Sequence, residues 1–291
     1  MNRSRMYLCG MSMLVLLAAG QAFGATGLSS YNVGAYQEQQ LLQLGHNVDP
    51  NAYCRVLVVA VSAFDNDDND NLVLFDWVTW QVGSQVQNAH LVDWYFHDNG
   101  NITNYMYCIV NPIPGNGVVS AHSQAPGTDM AGMMAFTYYN ARQSLPAIHN
   151  SFFTHHYWEV PPCDPHELRH ITGMTPDSML AYFAVARSQS GNWEPYDHHS
   201  RWLETELHEF SANQCRYSGG YAYVTGTEWW LELAYDGGGS DKLLTCAAID
   251  PVLAPTLQLN GANPLDLECH TPYSEPGYYA TDGWGNDITT H

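Results

Sequence analysis

The chain has 291 residues, 45% hydrophobic and only 13% charged, with 29 acidic against 9 basic side chains. That apolar content excludes a mainly disordered chain. A lone lysine, Lys242, and the absence of any basic run leave nothing to neutralise a nucleic-acid backbone or grip an anionic membrane surface.

Residues 1–24 read as an export signal: Arg3 and Arg5, an apolar run from Met11 to Ala19, then Ala22 and Gly24 before the expected cut. The run is much shorter than the roughly 20 residues of a membrane span, so a secreted or periplasmic protein with no membrane span is expected. Cleavage removes two arginines and no acid, and the charge of −20 becomes (9 − 2) − 29 = −22. It also removes Cys9 and leaves Cys54, Cys108, Cys163, Cys215, Cys246 and Cys269. An even count in an exported chain predicts three disulfides, in one of 15 connectivities.

After the signal, the spacing suggests a helix over Tyr36 to Leu44. Arg55 to Phe64 and Leu72 to Val82 are strand-like, as are Ala89 to Phe96, Ile102 to Val110 and Met133 to Tyr139. From Asp164 the texture changes, and Pro165 to Ile171, Pro176 to Arg187 and Arg201 to Phe210 predict short helices. Tyr221 to Tyr235 and Leu243 to Ile249 return to strand composition, and a loop-rich tail is expected to be fastened through Cys246 and Cys269. No internal repeat is visible. The expected architecture is one α+β domain over 25–291, with a mostly antiparallel amino-terminal sheet, helices in the middle and disulfide staples.

Histidine is abundant, 14 in all, and clusters between His149 and His208. The most specific pattern is His166-Glu167-Leu168-Arg169-His170. On a helix two imidazoles four apart share a face and hold one zinc ion, and the intervening carboxylate poises a metal-bound water. Extended through Gly173 and Asp177, the segment resembles the metzincin zinc peptidases. The resemblance implies His166 and His170 as ligands, Glu167 as general base and Gly173 as a turn. Pro176 stands where that family carries its third histidine, so Asp177, Glu204 or His208 is the candidate third ligand. Glu204 follows from a looser similarity to gluzincins, which take a glutamate from a later helix.

A second cation site is suggested by Asp65, Asp67, Asn69, Asn71 and Asp76, whose oxygens fall at positions 1, 3, 5, 7 and 12 of a calcium loop. Trp77, Trp80, Trp94, Trp229 and Trp230 offer ring faces for sugar stacking or for core packing. No GxSxG, P-loop or GxGxxG pattern appears. Two functions are therefore expected. The first is a secreted zinc hydrolase, a metalloendopeptidase acting on protein or peptide, with Glu167 catalytic. The alternative is a non-catalytic, calcium-supported exported binding protein for glycan or a cell-surface partner.

Overall fold

The computed structural model describes residues 25–37, 39–64, 74–97, 102–124, 130–143, 151–156, 166–187, 191–195, 204–212, 215–235, 242–253, 256–259 and 278–281. At 37, 97, 151–156, 166–170, 193–195, 204–210, 212, 230, 232, 234 and 259 the backbone course alone is described. Among the described residues there are nineteen strands and no helix, so the α+β expectation is corrected to all-β.

Strands are numbered in chain order. Residues 25–251 form one compact unit holding four sheets. The first inner sheet runs β1 (Gly27–Gln37), β9 (Met130–Tyr139), β3 (Val56–Phe64), β7 (Ile102–Val110), β6 (His90–His97). Its outer partner runs β2 (Leu41–Val48), β8 (Gly115–Ser123), β4 (Phe75–Val82), β5 (Gln85–Asn88). The second inner sheet runs β14 (Glu204–Ala212), β15 (Cys215–Val224), β12 (Ser178–Arg187), β17 (Lys242–Ile249). The second outer sheet runs β10 (Ser151–His156), β11 (His166–Thr172), β16 (Glu228–Tyr235), β13 (Trp193–Pro195). All pairings are antiparallel, and early strands alternate between the two sheets of a sandwich, the jelly-roll arrangement. Separately, β18 (Thr256–Leu259) and β19 (Tyr278–Thr281) pair antiparallel in the carboxyl-terminal unit.

The order β9-β3-β7-β6 recurs as β17-β12-β15-β14, and β2-β8-β4 recurs as β11-β16-β13. The repetition extends to irregularities. With Val56 superposed on Met179, the pairings equate Val110 with Tyr223. The β6–β7 bulge opposite Tyr107 and Met106 then coincides with the β14–β15 bulge opposite Gly220 and Gly219. Bulges are specific features of a strand pair, so the chain is a tandem pair of one topology. Cys54 and Asp177, each two residues ahead of the superposed pair, both take left-handed backbone (φ 48° and 67°).

Three cores separate four layers. One lies between the sheets of the first sandwich, one between those of the second, and a third joins the two inner sheets. The central inner strands β3 and β12 are therefore buried on both faces. In β3, Val56, Val58, Ala60 and Phe64 enter the central core, while Leu57, Val59, Val61 and Ala63 enter the first sandwich. In β12, Met179, Ala181, Phe183 and Val185 face the centre, and Leu180, Tyr182, Ala184 and Ala186 face the second sandwich. Each fully buried Val, Leu or Phe contributes about 1.5–3 kcal/mol. The central contact is close: a Cβ on Gly132 of β9 would stand 2.7 Å from the Tyr217 ring, and one on Gly219 of β15 would meet the Met134 sulfur. Asn104 of β7 donates to the Phe183 carbonyl across this layer (2.9 Å), and the Arg187 guanidinium lies 4.8 Å from the Phe64 ring centre.

All four expected helices are strands. Tyr36 to Leu44 is divided between β1 and β2, and β2 shows a strict alternation of exposed and buried positions. The segments read as helical from Pro165, Pro176 and Arg201 are β11, β12 and β14. A strand buried on both faces loses its period-2 pattern, and the Ala, Met and Leu of β12 then mimic a helix. The disulfide expectation is also corrected, since no disulfide forms among the described residues. Cys54, Cys108 and Cys215 are thiols. Burial pushes the Cys108 and Cys215 thiols up to about 12, keeping them protonated and inert. Cys246 is buried in β17, and its backbone N–H donates to the Asp93 carboxylate of β6 (3.0 Å), which caps the edge of the inner sheet. Cys163 and Cys269 lie outside the described residues.

Candidate functional site

The residues of the zinc motif lie on β11, not on a helix. Four strand steps separate the Cα atoms of His166 and His170 by about 13 Å, and strand alternation sets position 167 on the opposite face from 166 and 170. Zinc ligands stand about 2.0–2.1 Å from the metal by nitrogen, and the general base must share the metal's side. The helical face on which the metal and its base were expected to meet is absent. Asp177 is in the turn that leads from β11 to β12; its N–H donates to the Val224 carbonyl (2.9 Å) and its carbonyl accepts from Thr26 (3.2 Å). Gly173 does turn the chain, with φ of 77°, but between two strands. Glu204 and His208 lie on β14, at the edge of the inner sheet, whereas β11 belongs to the outer one.

Of the calcium residues, Asp65, Asp67, Asn69 and Asn71 lie outside the described residues. Asp76 sits at the bulge where β4 shifts register against β8. Its carboxylate accepts from Nδ1–H of His122 at 3.0 Å.

The tryptophans divide cleanly. Trp80 and Trp229 are buried core, and the Trp80 Nε1–H is satisfied by the Ile113 carbonyl (2.8 Å). Trp77 and Trp94 are 41% and 47% exposed. The Trp230 side chain lies outside the described residues. Trp94 is exposed because of sheet size. The first inner sheet has five strands against four in its outer partner, and no described residue of β6 enters the core between them. Trp94 pairs with Tyr105 and Phe96 with Thr103, so both point to the side where the core lies, beyond its border. The result is an overhanging aromatic shelf. Trp94 stacks on Phe96 (centroids 5.6 Å, planes 11° apart) and on Tyr105 (6.2 Å, 12°). Tyr105 in turn stacks on Tyr107 (6.2 Å) and takes the edge of Phe75 (5.6 Å). Burial raises the Tyr105 phenol to about 12, so it stays a neutral donor and acceptor. Phe96, Tyr105 and His122 are the participants that sequence reasoning missed. The Trp-x-Phe alternation at 94–96 was the available signal.

Within the first sandwich, His46 of β2 is buried among polar partners. Nδ1 lies 2.7 Å from the Asn32 side-chain oxygen and Nε2 2.7 Å from the Thr137 hydroxyl, with Trp80 edge-on at 6.0 Å. Loss of hydration lowers its pKa to about 4, so the ring is neutral at physiological pH. A Nδ1–H donating to Asn32 and a Nε2 accepting from Thr137 satisfy both nitrogens. This is a structural histidine.

The chain matches no protein-family model and no curated protein. Among the described residues no helix is long and apolar enough to cross a membrane.

Proposed function

We propose that this chain is an exported, non-catalytic binding protein that recognises glycan through the aromatic shelf of Trp94 and Phe96. The observation that carries this reading is the shelf itself: two half-exposed, nearly parallel rings, the indole also stacked on Tyr105, with no described strand of the outer sheet covering them. Monomeric proteins seldom leave such aromatics in solvent without a use. A ring face offers apolar area and a quadrupole to the C–H face of a pyranose, and Tyr105 supports it at little conformational cost. The charge of −20 directs the shelf toward uncharged sugars, because an anionic glycan would meet long-range repulsion.

Titration calorimetry of the purified chain against neutral oligosaccharides tests the reading. Binding that weakens at least tenfold in the Trp94→Ala, Phe96→Ala double variant supports it. Absence of binding by the unaltered protein, or unchanged binding by the variant, removes it. One equivalent of copurified zinc, with an activity lost in Glu167→Gln, would instead restore a zinc hydrolase.

A further inference from the structure

The outer sheet of the first sandwich has an open face, and its composition is unusual for a protein this acidic. Its outward positions follow from the strand pairings. Leu41, His122 and Trp77 make one row across β2, β8 and β4. Gln43, Ser120, Thr79 and Asn88 make the next across all four strands, spanning about 14 Å at the usual strand spacing. Gly45, Val118, Gln81 and Val86 make a third, and Asn47 and Asn116 close the face on β2 and β8. No outward position of these rows carries Asp, Glu, Lys or Arg. A solvated sheet face ordinarily carries mixed charges; this one carries amides and hydroxyls beside exposed Leu41, Val86 and Trp77, and the carboxylate at its border, Asp76, is bonded to His122.

We propose that this face is a second binding site, distinct from the aromatic shelf, for an extended, uncharged polysaccharide chain. Trp77 provides the stacking end: one ring face is held by His122 (centroids 5.4 Å, planes 11° apart), which Asp76 orients, and the indole remains 41% exposed. The amide row provides the hydrogen bonds. Gln43 donates one N–H to Ser120 (3.5 Å) and is otherwise directed to solvent, beside Thr79 and Asn88. Amides and hydroxyls both donate and accept, which matches the hydroxyl groups of a neutral sugar, and the carboxylate at the border, Asp76, is already engaged by His122. Gly45 provides the floor. It lies in the middle of β2, where glycine weakens a strand, and an added Cβ there would meet no atom within 4 Å. Packing does not call for a glycine here, whereas close approach of a flat ligand does.

The site extends the glycan-binding reading but does not depend on the shelf, so the two are separable by mutation. Affinity electrophoresis of the full chain in gels containing hydroxyethylcellulose or laminarin, with carboxymethylcellulose as the anionic control, is the test. The expected result is retardation by a neutral polymer and none by the anionic one. Trp77→Ala and Gly45→Tyr should each weaken the interaction at least tenfold, and Trp94→Ala should leave a retarded species. Gly45→Tyr fills open space with a strand-favouring residue, so its melting temperature should not fall and its loss of binding reports the surface alone. Retardation lost in Trp94→Ala but kept in Gly45→Tyr would leave the shelf standing and overturn this site. No retardation by any neutral polymer would overturn both. A concentration-dependent dimer in light scattering, broken by Gly45→Tyr, would show that a second copy covers the face and would also overturn it.

Discussion

The inner and outer sheets of the first sandwich share a core yet do different work. The middle of the inner sheet is enclosed by a core on each side, so β9, β3 and β7 meet apolar neighbours both ways. The outer sheet encloses its inward residues and leaves Trp77, Gln43 and Gly45 to solvent. Stability is therefore concentrated where two cores share one layer, and exposed aromatic and amide groups are left to the open face and to the strand that overhangs it. The largest test of this division is Phe183→Ala. Phe183 is fully buried in the central core, stacks on Tyr217 (5.9 Å), and its carbonyl receives Asn104. Truncation should cost about 3–5 kcal/mol. A loss under about 1 kcal/mol in urea denaturation would mean that the two sandwiches do not depend on this layer.

Acid should strike the first sandwich through His46. Its pKa is about 4 in the folded chain against 6.5 in an unhindered ring. Above pH 6.5 both states are neutral there and nothing is gained or lost. Between 6.5 and 4 the unfolded chain takes up a proton that the folded chain refuses, so stability falls as pH falls, by an amount on the order of 3 kcal/mol. His46→Gln should flatten that part of the urea midpoint profile between pH 7 and 4.5. Equal slopes in the two proteins would show that the ring does not control it.

Gly132→Ala is the next smaller perturbation. The new methyl would press into the Tyr217 ring, which is itself enclosed, and overpacking of this kind costs about 1–3 kcal/mol. A thermal midpoint equal to that of the unaltered protein would indicate that the inner sheets can separate to admit it.

How much of this was legible in the sequence depended on how each strand is enclosed. β3 and β7 were readable because their β-branched and aromatic residues favour strands whether one face is buried or two. β12 was not, because Met179 to Ala186 combines helix-favouring residues with burial on both faces, and only tertiary structure decides between the two readings. The His166 to His170 spacing predicted one shared helical face; the segment is instead β11, where these residues take a strand's alternating positions. The repeat was hidden because Val56 to Phe64 and Met179 to Arg187 share a place and a burial pattern but scarcely a residue. Trp77, Trp80 and Trp94 could not be separated by pattern either. Whether an alternating tryptophan is core or surface depends on how many strands its partner sheet has.

That last dependence yields the smallest expected effect and the finest test of the division. Trp94 is the same residue type as Trp80 and faces the same side of the inner sheet as Tyr105, but among the described residues no outer strand covers it. Its truncation removes two stacking contacts worth about 0.5–1.5 kcal/mol each at most, from a ring already half in water. The two together come to about 1–3 kcal/mol for an enclosed ring, and a ring half in water keeps only the lower part of that range. Trp94→Ala should therefore lower stability by about 1 kcal/mol, whereas Trp80→Ala should cost about 3–5 kcal/mol. A near-silent thermal profile together with lost sugar binding would place the ring's purpose outside the fold. A loss at Trp94 as large as that at Trp80 would instead mean that the shelf is a third edge of the core, and an overhang held only by packing would need no ligand to account for it.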